Sequence, residues 1–423
     1  MLRNLFCIPP ALKNNRRYAV YWAGLLISNA GSQMQVWAIF WHLRLLSDDP
    51  IVVSFIGLIK FLPVLLFAMI GGLVADTFDR RKVVFITQSL MALVAITLGV
   101  LTNSGHIELW HIYVLVAIQA MNISFDAPSR QSIVPNLVPR KDLPSAFGLQ
   151  SIAVNTGAVV GPALCGFVIA SLGLQWVYWI NAVTFLAVIA ALVYMGPVTS
   201  PRSLNTPTGM RLINRQSLTD MGAGVKFILG HPVILSSMIL DFFASFFSSA
   251  NSLLPFIATD VLHTNEIGYG WLSAAQSMGS VTVALVLAQA TGIRKQGKLL
   301  LGGLAFFGAA TIAFGLSRSF ALTMAALILV GAGEALSKVL RNTIRQLQTP
   351  DEMRGRMVSI TQIFFMGGPQ LGEAESGLLA SVLGTPFAIV SGGVGCILAV
   401  VFAAFKWPAL RKYNGDEAVK AGA

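Results

Sequence analysis

The chain has 423 residues, of which 55% are hydrophobic and only 11% are charged, less than half the share of about 25% in an average soluble domain. This composition excludes an ordinary soluble enzyme, and the uninterrupted apolar runs favour membrane helices over the alternating strands of a β-barrel. The net charge is +11, but the 29 Lys and Arg residues form no stripe with interleaved aromatics, so no nucleic-acid partner is expected.

Twelve apolar runs follow one another along the chain, and each is long enough to cross the roughly 30 Å hydrocarbon layer as a helix. They lie near residues 18–43, 51–75, 83–103, 109–134, 145–171, 174–196, 231–258, 267–291, 298–317, 319–345, 356–382 and 384–406. The sequence therefore predicts an all-α polytopic membrane protein with twelve transmembrane helices.

A polar stretch divides these runs six and six, and it begins with the Gly, Pro, Ser and Thr residues of a linker. The predicted domains are an N-terminal six-helix half over 1–196, a cytoplasmic linker over 197–230, a C-terminal six-helix half over 231–409 and a cytoplasmic tail over 410–423. GPALCG at 161–166 echoes GPQLGE at 368–373, each in the fifth helix of its half. This echo indicates two pseudo-symmetric halves.

Basic residues accumulate in the N-terminal segment, the linker, the tail and the loops on the same side of the membrane. The loops on the opposite side hold only Arg44 and Arg318. Because cytoplasmic loops of membrane proteins are enriched in Lys and Arg, both termini are predicted to be cytoplasmic. The expected location is a bacterial-type cytoplasmic (inner) membrane.

The stretch GGLVADTFDRRKV at 71–83, between the second and third runs, concentrates five charges. A loop that only orients the protein explains the Arg and Lys residues, but it needs no acids, and two are present. Gly72 would let a neighbouring helix approach closely. Asp76, one turn later, can accept hydrogen bonds or pair with an arginine.

At this loop the chain resembles the major facilitator superfamily, whose signature is Gly-x-x-x-Asp-Arg/Lys-x-Gly-Arg-Arg/Lys. The matching residues are Gly72, Asp76, Arg80 and Arg81. Thr77 replaces a basic residue of the signature, and Asp79 replaces a glycine. The resemblance implies a cytoplasmic gate in which Asp76 and the basic residues pair across the two halves and hold the outward-open state.

The fifth predicted helix carries glycines at spacings that permit close helix contact, and a proline that removes one backbone hydrogen bond. These residues are Gly148, Gly157, Gly161, Pro162 and Gly166. A generic small-residue packing face would have similar spacings. The pattern also resembles the antiporter motif of the superfamily, found mainly in exporters, with Cys165 where another glycine is usual.

Three further segments resemble one branch of the superfamily, the enterobactin-exporter and macrolide-efflux branch. They are FDAPSRQSIVPNLVPRKDLPSA at 125–146, LLPFIATDVL at 253–262 and RGRMVS at 354–359. Unlike many drug–proton antiporters, the chain has no Arg in the apolar middle of the fourth helix. Substrate does not follow from the fold.

Ionisable residues within the apolar runs cost about 2.5–3.5 kcal/mol each on insertion scales, so they are candidate functional residues. The candidates for proton coupling are Asp241, Glu334 and Glu373. The expected charge partners are Lys60, Asp126, Arg130 and Lys338. Glu334 and Lys338 are four residues apart and can pair on one helix face, in which case they would only lock helices together.

By resemblance, helices one, four, seven and ten line a central cavity. The polar and aromatic residues on them that can contact a substrate are Asn29, Gln33, Trp37, Gln119, Asn122, Phe246 and Asn251. Each alone is more often a packing residue. As a set they suit an amphiphilic organic molecule.

The sequence lacks a P-loop, a metal-binding pattern and a nucleophile elbow, and its three cysteines are scattered. No enzyme activity, cofactor or metal is therefore expected. The predicted function is a secondary active transporter that exports a siderophore-like or drug-like amphiphile by alternating access, in exchange for protons, and the resemblance implies a monomer. The alternatives are a non-transporting membrane sensor or scaffold on a carrier fold, and an importer of the same fold.

Overall fold

The computed structural model describes residues 9–196, 226–247, 249–290, 292–350, 353–415 and 417. The long helices are α1 (Arg16–Leu46), α2 (Ile56–Thr77), α3 (Arg80–Asn103), α4 (Leu109–Leu137), α5 (Leu143–Leu172), α6 (Leu174–Met195), α7 (Pro232–Phe247), α8 (Glu266–Gln289), α9 (Gln296–Leu316), α10 (Phe320–Leu347), α11 (Arg354–Leu383) and α12 (Thr385–Lys406). In this part of the chain, nine helical segments are long and apolar enough to cross a membrane. The prediction of an all-α membrane fold is confirmed, whereas the number of twelve spans stays a prediction.

The lengths of two successive helices, and the glycine that follows the first of them, recur 211 residues later in the chain. α5 and α11 both have 30 residues, and they begin 211 residues apart, at Leu143 and Arg354. The same offset separates α6 from α12, which both have 22 residues. α5 is followed by Gly173 and α11 by Gly384, and both glycines cap their helices at positive φ, a region that glycine adopts without steric cost. This repeat supports the predicted pseudo-symmetry.

The chain divides into two compact units. Unit 1 comprises Met1–Leu46, Leu62–Pro207 and Asn265–Ala274, and unit 2 comprises Ser47–Phe61, Thr208–Thr264 and Ala275–Ala423. The first residues of α2 thus belong to unit 2, and the first residues of α8 belong to unit 1. Most of the predicted linker, residues 197–225, lies outside the described residues.

In unit 1, α1 packs directly on α5 and α6. The Tyr18 hydroxyl donates to the carbonyl of Ala146 at 2.7 Å, near the start of α5. Farther along α1, the amide of Asn181 in α6 donates to the Gln35 side chain at 2.6 Å. Both bonds are buried, so they fix the register of α1 against its two neighbours.

In unit 2, α9 packs in the middle of an apolar core. The core includes Leu300, Leu304, Phe307, Leu340, Cys396 and Val400. A short helix at Pro408–Lys412, which the sequence placed mostly in the tail, packs on the same core through Leu410. The N–H of Gly297 donates to the carbonyl of Tyr413 at 3.0 Å. Residues 410–413 therefore form part of the fold of unit 2.

Candidate functional site

The two arginines of the loop between α2 and α3 contact helix carbonyls within unit 1. Arg80 donates to the carbonyls of Ala75 and Ser132, at 3.3 and 3.1 Å. Arg81 donates to the carbonyl of Leu192 at 2.9 Å. Ala75 and Leu192 lie in the last turns of α2 and α6, where carbonyls lack helical partners. Both arginines therefore stabilise helix ends in this structure.

The acids and glycines of this loop have separate local roles. Asp79 caps α3 by accepting a hydrogen bond from the N–H of Arg81 at 3.0 Å. The close helix approach expected at Gly72 occurs at Gly71, where an added Cβ would overlap the backbone of Ser124. The side chain of Asp76 lies outside the described residues, so the predicted gate contact stays a prediction.

The glycines of α5 mark its closest contacts with other helices of unit 1. A Cβ added to Gly157 would lie 2.9 Å from the backbone of Asn29, and one on Gly161 would lie 2.6 Å from the Cβ of Gln33. Gly166 faces Gly270 in the first turns of α8, at 2.9 Å by the same measure. For Gly148 no described atom lies within 4 Å of the added Cβ. Three of the four predicted glycines therefore serve close packing.

The same glycine spacing recurs in α11 of unit 2. Gly368, Gly372 and Gly377 follow Gly157, Gly161 and Gly166 by 211 residues each. Gly372 lies against the backbone of Phe246 in α7, as Gly161 lies against α1. The alignment of GPALCG with GPQLGE, offset by 207 residues at its prolines, is thus wrong by one helical turn. In the corrected register, Glu373 occupies the position of Pro162.

Glu373 and Lys60 come together in unit 2. The Glu373 side chain is buried against Gly57 of α2, with Oε2 at 3.2 Å from a Cβ added there. The half-buried Lys60 attracts the Glu373 carboxylate electrostatically. Among the described residues, Oε2 of Glu373 has no hydrogen-bond partner. This acid thus retains an acceptor site for a proton donor.

A buried polar network in unit 1 surrounds Asp126 of α4. Its Oδ1 accepts hydrogen bonds from the Thr87 hydroxyl at 2.7 Å and the Gln88 amide at 2.9 Å. Its Oδ2 forms an ion pair with Arg130, one turn later on α4, at 2.5 Å. The Asn122 amide joins the network by donating to the carbonyl of Thr87 at 2.7 Å. Both carboxylate oxygens of Asp126 are occupied, and Asn122 is already engaged within unit 1.

The other predicted cavity residues of unit 1 lie at helix contacts. Asn29 and Gln33 lie half-buried beside the glycines of α5. The Trp37 ring packs edge-on against Tyr269, whose hydroxyl donates to the Trp37 carbonyl at 2.9 Å. Gln119 is buried.

A cluster of three buried charges in unit 2 surrounds Asp241 of α7. Its Oδ1 lies 2.9 Å from Nη1 of Arg341, and its Oδ2 lies 2.7 Å from Nη2 of Arg345. All three side chains are at most 4% exposed. One carboxylate is thus shared by two buried guanidinium groups.

Sequence reasoning overlooked both arginines, although their spacing is informative. Glu334, Lys338, Arg341 and Arg345 recur at intervals of four, three and four residues, which places them on one side of α10. Lys338 is exposed, and its pairing with Glu334 stays a prediction. A stripe of four ionisable residues on an otherwise apolar helix was the available signal.

A cavity in unit 2 opens beside this cluster. It is lined by Ala244, Ser245, Ser249, Asn251, Gln276, Leu304, Phe307, Glu334, Arg341 and Pro369. Glu334 accepts a hydrogen bond from the Gln276 amide at 3.0 Å. Phe246, on the neighbouring turn of α7, stacks on Phe242 with ring centroids 5.9 Å apart. The structure therefore gathers Glu334 and Asn251, both predicted, with the overlooked Arg341.

Comparison with known proteins gives matches over nearly the whole chain. The sequence profile of the family described as transmembrane secretion effector, a part of the major facilitator superfamily, matches residues 10–420. The MFS-type transporter YfiS of Bacillus subtilis (strain 168) is 25% identical over 406 residues, or 93% of each chain. The enterobactin exporter EntS of Citrobacter koseri is 27% identical over 357 residues, covering 84% of this chain and 83% of the relative.

Solved structures match the fold. A bacterial homologue of the iron transporter ferroportin, in its inward-facing state, aligns with a TM-score of 0.69 at 18% identity, over 93% of this chain and 98% of that one. A bacterial homologue of the human lysosomal transporter Spinster aligns with a TM-score of 0.66 at 15% identity, over 94% and 98%. At these identities the likeness concerns the fold alone.

Proposed function

Since the chain belongs to the transmembrane secretion effector family of the major facilitator superfamily, we propose that this multi-pass membrane transporter exports an amphiphilic organic molecule by alternating access, in exchange for protons. The observation that carries this proposal is the unit 2 cavity, where an acid, a buried arginine and uncharged polar groups meet. The direction of transport rests on the similarity to enterobactin exporters. We place the protein in the cytoplasmic membrane as a monomer with both termini inside.

The three candidate acids differ in how fully their oxygens are engaged. Asp241 is contacted on both oxygens by guanidinium groups. Glu334 accepts from the neutral Gln276 amide, and Glu373 keeps one oxygen without a hydrogen bond among the described residues. A proton carrier must exchange its proton as the site opens and closes, which favours the less engaged acids. We therefore assign proton exchange to Glu334 or Glu373, and a positioning role to Asp241.

The glycine contacts of α5 and α11 support the movement that alternating access requires. Small residues let two helices pack closely, with few interdigitating side chains. The pair α1 and α5 can therefore move as one body, and so can the pair α7 and α11. We propose that the loop residues Asp76, Arg80 and Arg81 bias this movement. Asp76→Asn should shift the resting population away from the outward-open state, and site-specific crosslinking of the cytoplasmic side would show no shift if this is wrong.

Metabolite profiling tests the transport function. Culture medium and cell contents of a strain lacking the protein are compared with those of the same strain carrying the wild-type chain. Export predicts a compound that is lost from the medium and retained in the cells of the deletion strain. The opposite change would indicate an importer, and no change across a broad panel would indicate a sensor or scaffold.

The proton requirement is tested on the compound found in this way. Its efflux should collapse when a protonophore dissipates the gradient, and Glu373→Gln should remove that sensitivity. The coupling part of the proposal is wrong if Asp241→Asn, Glu334→Gln and Glu373→Gln each leave gradient-driven efflux intact.

A further inference from the structure

We propose that the unit 2 cavity contains an anion-binding subsite built on the Arg341 guanidinium, and that the exported molecule carries an acidic group that binds there. The inference rests on the proposed export function and adds a chemical class to its substrate. The subsite binds one acidic group of the substrate, such as a carboxylate, sulfonate or phosphate. The rest of the substrate contacts other surfaces of the protein.

The pairing of Arg341 within the protein is incomplete. Its Nη1 contacts Asp241, but Asp241 is shared with Arg345, so one carboxylate contacts two guanidinium groups. Among the described residues, Nε of Arg341 has no hydrogen-bond partner although the side chain is 4% exposed. Buried N–H donors are nearly always paired in folded proteins. An unpaired one on a residue that lines a cavity indicates a missing acceptor.

The size and lining of the cavity suit an acidic group. It measures about 80 Å³, on a scale where one water needs about 10–15 Å³. On that scale the cavity has room for about five to eight waters, and therefore for the acidic group of a ligand. Ser245, Ser249, Asn251 and Gln276 supply uncharged donors around it. Guanidinium and neutral donors together form a typical receptor for an oxyanion.

Glu334 lines the same cavity and attracts Arg341 electrostatically. A bound anion and the ionised Glu334 would compete for the same guanidinium. Neutralising Glu334, which also faces Gln276 and lies one turn before Lys338, would therefore favour the anion. In an exchange, the proton and the cargo must bind alternately, whereas a proton on Glu334 would favour binding of the anion. We therefore assign proton exchange to Glu373 rather than Glu334.

Two fluorescent probes that differ in one acidic group test the subsite. 1-Anilinonaphthalene-8-sulfonate carries a sulfonate, and N-phenyl-1-naphthylamine has the same ring system without it. Their binding is measured on the full chain in phosphatidylcholine nanodiscs at constant ionic strength, with empty nanodiscs subtracted. The wild type should bind the sulfonate more tightly than the uncharged analogue.

The variants separate the subsite from general packing. Arg341→Gln should weaken sulfonate binding by about 10-fold or more, since charge-assisted hydrogen bonds contribute about 1.5–3 kcal/mol, and should leave the uncharged probe unchanged. Glu334→Gln should strengthen sulfonate binding several-fold, which a purely structural role would not produce. Arg318→Gln is the control, because Arg318 is exposed and, among the described residues, donates to the nearby carbonyls of Gly315 and Ser317.

The subsite is refuted if the wild type shows no saturable preference for the sulfonate, or if Glu334→Gln weakens its binding. If Arg341→Gln does not fold, Arg341→Lys together with Glu334→Gln decides the question. Arg341-dependent sulfonate binding without any export would remove the proposed function and leave the subsite. Export without Arg341-dependent binding would remove the subsite and leave the function.

Discussion

The buried charge networks of the two units have similar compositions but different degrees of pairing. In unit 1, Asp126 receives a hydroxyl, an amide and one guanidinium, and acid and base balance one to one. In unit 2, Asp241 is divided between Arg341 and Arg345. Among the described residues, the first network leaves the neutral Oε1 of Gln88 without a hydrogen-bond partner, whereas the second leaves Nε of the charged Arg341 guanidinium without one, beside a cavity.

The two networks differ in how their charges are paired and in whether a cavity lies beside them. A buried network whose charges are paired one to one rigidifies the helices that share it, and an unpaired charged donor beside a cavity carries an energetic penalty that a ligand can relieve. We therefore propose that the transport chemistry belongs to unit 2. Unit 1 supplies the packed helices α1, α4 and α5 in their fixed register.

The largest expected effect comes from Asp241→Asn. This change leaves two buried guanidinium groups without their carboxylate, and breaking a buried ion pair on one side costs about 3–5 kcal/mol. The free energy of unfolding, measured by denaturant titration in mixed micelles, should fall by that amount. The double variant Asp241→Asn/Arg341→Gln should recover part of it, and no recovery would contradict the shared ion pair.

A smaller effect is expected where α1 meets α5 and α7 meets α11. Gly161→Ala and Gly372→Ala should each lower the free energy of unfolding by about 1–3 kcal/mol, because the added methyl overlaps the facing helix. Gly148→Ala is the matched control on α5, where the added methyl meets no described atom, and it should stabilise the helix by about 0.5–1 kcal/mol. Equal effects at Gly148 and Gly161 would contradict the packing described for α5.

The smallest effect is expected for Asp126→Asn. Asparagine keeps an acceptor for the Thr87 hydroxyl and the Gln88 amide and loses the ion pair with the partly exposed Arg130. The expected loss is about 1–2 kcal/mol, read from the same denaturant titration. A loss as large as that of Asp241→Asn would mean that the two networks are equally strained.

Much of the fold follows from the sequence because each part depends on nearby residues. Apolar runs of spanning length give the helices, and the i, i+4 spacing of Asp126 and Arg130 allows their pairing on one helix. The site of unit 2 depends instead on tertiary contacts. Asp241 and Arg345 are 104 residues apart, and no local pattern joins them.

One sequence-based alignment failed and two buried arginines were overlooked, both for physical reasons that the structure makes plain. The glycines that pack against other helices are 211 residues apart in α5 and α11. The Gly-Pro pairs of the two helices are only 207 residues apart, so an alignment on the prolines shifts one helix by about one turn. Arg341 and Arg345 lie near the end of α10, where basic residues usually belong to a loop. Their buried positions became evident only with α7 in place.

Efflux of the exported compound is measured side by side for Glu373→Gln and Asp126→Asn, which change one buried acid in each unit. Both substitutions remove one carboxylate charge with little change of shape, and each rate is divided by the amount of folded protein in the membrane. If proton exchange takes place in unit 2, Glu373→Gln lowers gradient-driven efflux at least about 10-fold, equivalent to about 1.4 kcal/mol, while Asp126→Asn stays near the wild-type rate. Loss of efflux in Asp126→Asn with normal efflux in Glu373→Gln would contradict this assignment.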